Sequence, residues 1–168
     1  DFWFNSEPIS IRALRGSVIL VDFWDYTCIN CIRTLPYMSE WFRKYREFGL
    51  VVVGVHTPEF KFARNPENIQ RAVERLKVQY PVVSDNDEII WSAFSNRYWP
   101  TKYLIDKDGF IRYSHQGEGG YDQFERAIQA LVAEAGIHGE LPELTEPVRD
   151  TDVPGAICYK MTGEVHTG

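Results

Sequence analysis

One stretch narrows the possible folds more than any other: Val18-Ile19-Leu20-Val21-Asp22-Phe23-Trp24, followed after three residues by Cys28-Ile29-Asn30-Cys31. A nearly continuous β-branched and aromatic run marks a strand buried on both faces, as in the middle of a sheet with parallel neighbours. Behind the cysteines, Ile32, Leu35, Met38, Phe42, Tyr45 and Phe48 recur at helical spacing, and Gly49 stands where a helix ends. The spacing predicts a helix from about Ile29 to Phe48, with Pro36 kinking it from within. Leu50-Val51-Val52-Val53-Gly54-Val55 reads as a second buried strand, so strand, helix and strand make one right-handed crossover unit. The cysteine pair falls at the joint between a central strand and a helix N-terminus.

The rest of the chain continues in the same mixed style. Before the central strand, Ile9, Ile11 and Leu14 alternate up to Gly16 and predict an edge strand or hairpin within 2–17. After the crossover unit, Asn65-Pro66 supplies a cap and first turn for a helix reaching about Lys77, with Ile69, Val73 and Leu76 on its apolar side. Pro81-Val82-Val83 is a short extended piece, and Asp87 to Ser95 a short helix with Ile90, Ala93 and Phe94 inward. Lys102–Asp106 and Phe110–Ser114 are strands joined through Asp108-Gly109, a strong hairpin signal. A last helix runs from Tyr121 to about Ala135, with Phe124, Ile128 and Leu131 inward and Gly136 as its cap. From Ile137 onward Pro142, Pro147, Pro154 and acidic residues replace the periodicity. The expected organisation is one domain over 1–136, then a linker or the start of a further domain over 137–168.

Chemistry concentrates at the cysteine pair. A thiol at a helix N-terminus meets unpaired N–H groups and the positive end of the helix dipole, which favour the thiolate. Two intervening residues put Cys31 one turn further on, close enough to form a disulfide with Cys28. Spacing alone therefore supplies an attacking thiolate and a resolving thiol. The competing reading is half of a structural zinc site, which needs two more ligands. Cys158, His56, His115, His138 and His166 are the candidates, and none forms a second paired motif, so no metal is expected. Cys158 reads as a bystander. Asp25 reads as a solvated loop charge, with repulsion of the Cys28 thiolate as the alternative if it lies close. Glu59 and Glu118 read as surface charges, with a place lining the site as the alternative, and His56 and His115 as structural. Tyr26, Tyr98 and Trp99 are candidates for an aromatic rim that meets a protein substrate, with core packing as the equal alternative. A net charge of −6 without any basic run excludes sequence-independent nucleic-acid binding. No apolar stretch is long enough to cross a bilayer. The chain reads as an excised domain, without an initiator Met or a signal peptide at Asp1.

Val21 to Cys31, with Pro36 behind it, resembles the active-site strand and helix of the thioredoxin superfamily, and Trp99-Pro100-Thr101 resembles its cis-proline loop. Tyr26-Thr27-Cys28-Ile29-Asn30-Cys31-Ile32-Arg33-Thr34-Leu35-Pro36-Tyr37 is similar to the TlpA/ResA-like branch. Gly54 to Phe60, Asn96 to Pro100 and Gly117-Glu118-Gly119 extend that likeness to the extracytoplasmic domain of DipZ-type cytochrome c biogenesis proteins. The resemblance covers about residues 9 to 135. It implies an α/β thioredoxin-like fold: a central mixed β-sheet flanked by helices, an N-terminal β extension, and a TlpA-type insertion within Thr57–Ser95. It implies a thiol–disulfide oxidoreductase whose only cofactor is its own Cys28–Cys31 disulfide. Asp22, six residues before Cys28, matches a buried acid that takes the Cys31 proton; a strand-end acid facing solvent is the alternative. Trp24 would pack under the disulfide, with plain core as the alternative. Ile29 and Asn30 would tune its potential. Trp99, Pro100 (cis) and Thr101 would bring backbone beside the sulfurs. The implied partners are a disulfide-bearing exported protein, such as apocytochrome c, and a CcdA-like membrane electron donor, possibly in the same polypeptide. The implied place is outside the cytoplasm, membrane-anchored in the full-length protein, with the isolated domain a monomer. Oxidase or isomerase activity shares the motif. A peroxidase is a further rival, disfavoured because Thr27 adjoins Cys28 and no proline precedes it nearby. A non-catalytic binding module is the last.

Overall fold

The computed structural model describes residues 2–155; Cys158 and His166 lie outside them. Six strands form one mixed sheet in the order β1-β4-β3-β2-β5-β6. In chain order these are β1 (Trp3–Phe4), β2 (Val18–Trp24), β3 (Leu50–His56), β4 (Val82–Ser84), β5 (Thr101–Ile105) and β6 (Ile111–Gln116). The α-helices are α1 (Ile29–Tyr45), α2 (Pro66–Arg75), α3 (Ile89–Ala93) and α4 (Tyr121–Glu134). β2, β3 and β4 run parallel, whereas β5 pairs antiparallel with β2 and with β6. Every residue of β2 is buried, as its unbroken apolar run requires.

Alternation along β2 sorts the core into two layers. Leu20 and Trp24 point to the face covered by α1, α2 and α4, where they meet Leu35, Met38, Trp41, Ile69, Val73, Phe124 and Ile128. Ile19, Val21 and Phe23 point to the opposite face, with Val53, Val55, Val83 and Ile105. That second face is roofed by Trp3, Leu14, Trp91 of α3 and Phe94 just after it. Phe23 stands edge-on to Trp91, Phe94 and Tyr103, with ring centroids 5.3–5.8 Å apart.

The helix expected to Phe48 is α-helical to Tyr45 and tightens into a 3-10 turn over Arg46–Phe48, closed by Gly49 at φ +84°. It continues through Pro36. Asn65 caps α2 by accepting from Glu67 N at 2.8 Å. Within α3, Ala93 is exposed rather than inward. The N-terminal extension differs from expectation. Its strand is the two-residue β1, antiparallel to β4, and Ile11–Leu14 form a 3-10 turn instead of a strand or hairpin. The reason is local. Ser10 Oγ accepts from Ala13 N at 3.3 Å, so a Ser-capped turn outcompetes the weak alternation of Ile9 and Ile11.

Gly54 sits where β3 passes closest to the core beside Asp22. A Cβ there would lie 3.0 Å from Trp24 Nε1 and 3.2 Å from both Tyr80 Cε2 and Val82 Cγ2. These neighbours are buried rings and a strand side chain, with little room to give. Gly54→Ala is expected to destabilise the fold by about 1–3 kcal/mol, read as a lower urea midpoint at unchanged slope.

Beyond Gly136 the chain is laid back over α1 and α4. Ile137 and Leu141 pack against the main core. Thr145 N donates to Glu125 Oε2 at 2.7 Å, Gln129 Nε2 to Pro142 O at 2.8 Å, and Val148 N to Tyr37 Oη at 2.7 Å. Arg149 closes this strap with ion pairs to Glu118 and Asp152.

Candidate functional site

The site forms where β2 ends and α1 begins. Cys28 is the N-cap of α1, with extended backbone, and its Sγ accepts from Cys31 N at 3.3 Å. Both cysteines are free thiols, Cys28 half-buried and Cys31 buried. The two thiols are pushed apart electrically. The Cys31 thiol donates toward Cys28 and, together with the Cys31 and Asn30 amides, outweighs burial and the nearby Asp25 charge, so Cys28 falls to about 7. Burial first, and then its role as donor to Cys28, push Cys31 well above the usual thiol range. Cys28 is the thiol that ionises near neutral pH, and Cys31 stays protonated until something removes its proton.

Asp22 is wholly buried on the helix-covered face of β2. Burial raises its carboxyl to about 7, against the lowering effect of Lys102. The solvent-facing alternative for Asp22 is therefore excluded. Lys102 was not legible as a site residue, and the structure puts it directly opposite Asp22 across the β2–β5 pair. It too is wholly buried, and burial lowers its ammonium although Asp22, Cys31 and Glu118 oppose that. A period-2 reading carried the signal: Lys102 shares the face of buried Leu104, where a strand seldom places a lysine.

Asp25 departs from its expectation as a solvated charge. It is fully buried and accepts from Thr27 N, Thr27 Oγ1 and Glu59 N at 3.2, 2.8 and 2.9 Å. His56 Nε2 lies 3.2 Å from Asp25 Oδ1. Burial pushes the Asp25 carboxyl up, but His56 and these donors outweigh it and hold it below the usual carboxylate range. It fastens the Cys28 loop to the end of β3. His56 is itself buried, stacked on Tyr26 and edge-on to Trp24, with centroids 5.4 and 5.3 Å away.

The remaining expected residues divide. Ile29 is exposed on the first turn of α1, and Asn30 is exposed beside it, its carbonyl accepting from Thr34 Oγ1 at 3.1 Å. Trp24 is buried in the same core cluster as Cys31. The Trp99–Pro100 bond is cis. Pairing of Phe23 with Thr101 sets Pro100 at the end of the sheet from which the Cys28 loop emerges. Thr101 is buried and donates to Tyr98 O at 2.8 Å, which closes that loop. Trp99 packs against Trp91 with ring centroids 4.2 Å apart and planes tilted by 35°, and donates Nε1 to Thr57 O at 2.9 Å. Tyr98 remains exposed, whereas Tyr26 is drawn onto His56. The three aromatic residues thus have different surroundings.

Comparison with known proteins agrees with this arrangement. The model of the AhpC/TSA family matches residues 4–114. Protein DipZ of Mycobacterium bovis is 41% identical over 169 residues, which is 99% of this chain and 24% of that protein. The chain thus spans about a quarter of the length of that relative. The thiol-disulfide oxidoreductase ResA of Bacillus cereus is 29% identical over 128 residues, covering 76% of this chain and 71% of ResA. A thioredoxin-like protein solved in its oxidised form superposes with a TM-score of 0.71 at 30% identity, covering 79% of this chain and 88% of that one. The chain belongs to the AhpC/TSA family, with a thioredoxin-like fold, and within it to the thiol–disulfide oxidoreductases.

Proposed function

We propose that this domain reduces disulfides of exported proteins, apocytochrome c among them, with electrons supplied by a CcdA-like membrane partner. In the reduced state Cys28 attacks one sulfur of the substrate disulfide, forming a mixed disulfide and releasing the other sulfur as a thiolate. Cys31 then loses its proton and attacks Cys28 Sγ. The Cys28–Cys31 disulfide forms, and the second substrate sulfur leaves with the bonding pair. The substrate gains two electrons and the domain loses them, to be restored by the membrane partner. Asp22 is the base placed for the Cys31 proton. The exposed Ile29 and Tyr98 and the Pro100 loop are the surface an extended substrate would meet.

The observation that carries this reading is the split between the two thiols: one half-exposed and ionising near 7, the other buried and protonated. The likeness to DipZ supports an extracytoplasmic, membrane-linked setting. The described residues include no helix long and apolar enough to cross a membrane, so the anchor would lie elsewhere in the full-length protein. The test is a redox titration of the pair against glutathione, followed by Trp fluorescence. A midpoint near that of thioredoxin, about −270 mV, is expected of a reductant. A midpoint near about −120 mV would make the domain an oxidant of exported proteins and overturn the direction proposed.

A further inference from the structure

The row of residues that crosses the sheet on the Cys31 side holds more ionisable chemistry than one acid requires. Asp22 on β2 is paired with Gly54 on β3 and with Lys102 on β5, and Lys102 is paired with His115 on β6. Opposed residues of adjacent strands point to the same face, with Cβ atoms about 4.5–5.5 Å apart. Asp22, Lys102 and His115 therefore stand side by side on the face covered by the helices, and glycine at 54 ends the row on the other side. Asp22 and Lys102 are both fully buried. Among the described residues, neither carboxylate oxygen nor the Lys102 ammonium has a direct hydrogen-bond partner. Two buried ionisable groups that attract each other but lack hydrogen bonds are costly, and such groups cluster at functional sites. His115 is only half-buried, so the row runs from the interior to solvent.

The surroundings fix each member. Lys102 Nζ lies 5.6 Å from the Tyr121 ring and 5.5 Å from the Phe124 ring of α4, faces that favour an ammonium. Cys28 and Cys31 from α1, Tyr80 before β4 and Glu118 after β6 are the other ionisable groups whose charges reach the row. The His115 ring lies against Gly120, where a Cβ would come within 2.8 Å of Cε1, and its Nε2 is 3.1 Å from Glu118 O. Burial lowers His115, and the Lys102 charge lowers it further against the Glu118 carbonyl.

We propose that Asp22, Lys102 and His115 form a proton path that carries the Cys31 proton from the buried dithiol to solvent during resolution; this rests on the oxidoreductase reading above. The Cys31 proton passes to the Asp22 carboxylate as Cys31 Sγ bonds to Cys28 Sγ and the substrate sulfur leaves with the bonding pair. The Lys102 ammonium gives a proton to neutral His115, which releases it to water. The Asp22 proton then moves to the Lys102 amine. The row ends as it began, one proton having left Cys31 and one having reached solvent. Lys102 and His115 act through Asp22, and they hold it ready to accept.

The test uses the reduced domain with Cys158→Ser as background, so that 5,5′-dithiobis(2-nitrobenzoate) releases its coloured thiolate once on Cys28 attack and again on Cys31 resolution. A first phase with the wild-type rate and pH dependence is each variant's own check of folding, since an unfolded chain loses the lowered Cys28 thiol. Lys102→Met is expected to slow the second phase by at least about tenfold and to move its pH profile upward, because Asp22 loses the neighbouring cation. His115→Gln is expected to slow the second phase and to recover as imidazole buffer is raised, since a free base then takes the proton. A Lys102→Met second phase with wild-type rate and pH profile overturns the path, as does a His115→Gln second phase that imidazole leaves unchanged. Absence of either phase in the wild type overturns the oxidoreductase reading itself.

Discussion

Replacing Cys31 with serine is expected to stop turnover and to leave the substrate covalently held on Cys28. Cys28 keeps its place at the N-terminus of α1 in this variant, so it still attacks; what is lost is the sulfur that displaces the product. The trapped species is measured by mass spectrometry as the domain plus one substrate thiol, and reductant releases it. With Cys158→Ser as background, Cys28→Ser is expected to have the opposite signature, no adduct, because a serine hydroxyl is not ionised where a thiol at about 7 is half ionised. In Cys31→Ser the thiol donor to Cys28 becomes a hydroxyl, so Cys28 alkylation by iodoacetamide rises through the same neutral window. In the wild type that rise is expected to be centred near pH 7, and a rise centred near the ordinary thiol value would remove the thiolate argument. If Cys31→Ser turns over at the wild-type rate, Cys31 does not resolve and the two-thiol mechanism fails.

Glu125→Ala is expected to cost about 3–5 kcal/mol of stability, the largest effect away from the cysteines. Glu125 on α4 is buried and accepts from Trp41 Nε1 at 3.0 Å, Tyr45 Oη at 2.7 Å, Lys44 Nζ at 2.8 Å and Thr145 N at 2.7 Å. One carboxylate thus joins α1, α4 and the returning strap, and Lys44 also reaches Thr145 Oγ1 and Glu143 O. Removing it leaves a nearly buried ammonium and two buried donors without their acceptor. Urea unfolding gives the stability, and limited proteolysis within 140–150 reports release of the strap. The pH dependence has a definite sign. Burial pushes the Glu125 carboxyl up, but Lys44, Tyr45 and Thr145 outweigh it and hold it below its usual 4.5. A depressed carboxyl stabilises the fold fully above its unfolded value and loses that contribution as pH falls through its folded value. The gap between wild type and Glu125→Ala should therefore be widest at neutral pH and narrow below about 4.5. An equal gap at pH 7 and in strong acid would show that packing, not charge, holds this junction.

What the sequence determined by itself was most of what is local or periodic, the Ser10 turn excepted. The order of strands and helices follows from the unbroken run of β2, the helical repeat behind Cys28, and Asn65-Pro66 and Asp108-Gly109 as punctuation. The position of Cys28 at a helix N-terminus follows from the same pattern, because a motif of four residues needs only its two flanking elements to be placed. Tertiary structure decided what depends on pairing between distant segments. Lys102 joins the site only because β5 runs antiparallel beside β2 in the register that sets it against Asp22, eighty residues earlier. Asp25 reads as a loop charge until His56 and Glu59 arrive from the end of β3 to bury it. Strand propensity could not foresee that Ser10 would turn the chain at Ile11–Leu14. The stretch after Gly136 has no periodicity to read, since Glu125 and Tyr37 hold its backbone through single hydrogen bonds rather than by a repeating apolar face. Burial of a charged group is a property of the whole fold, and it set the ionisation of Cys31, Asp22 and Lys102, whereas at Cys28 the Cys31 thiol and local amides outweigh it.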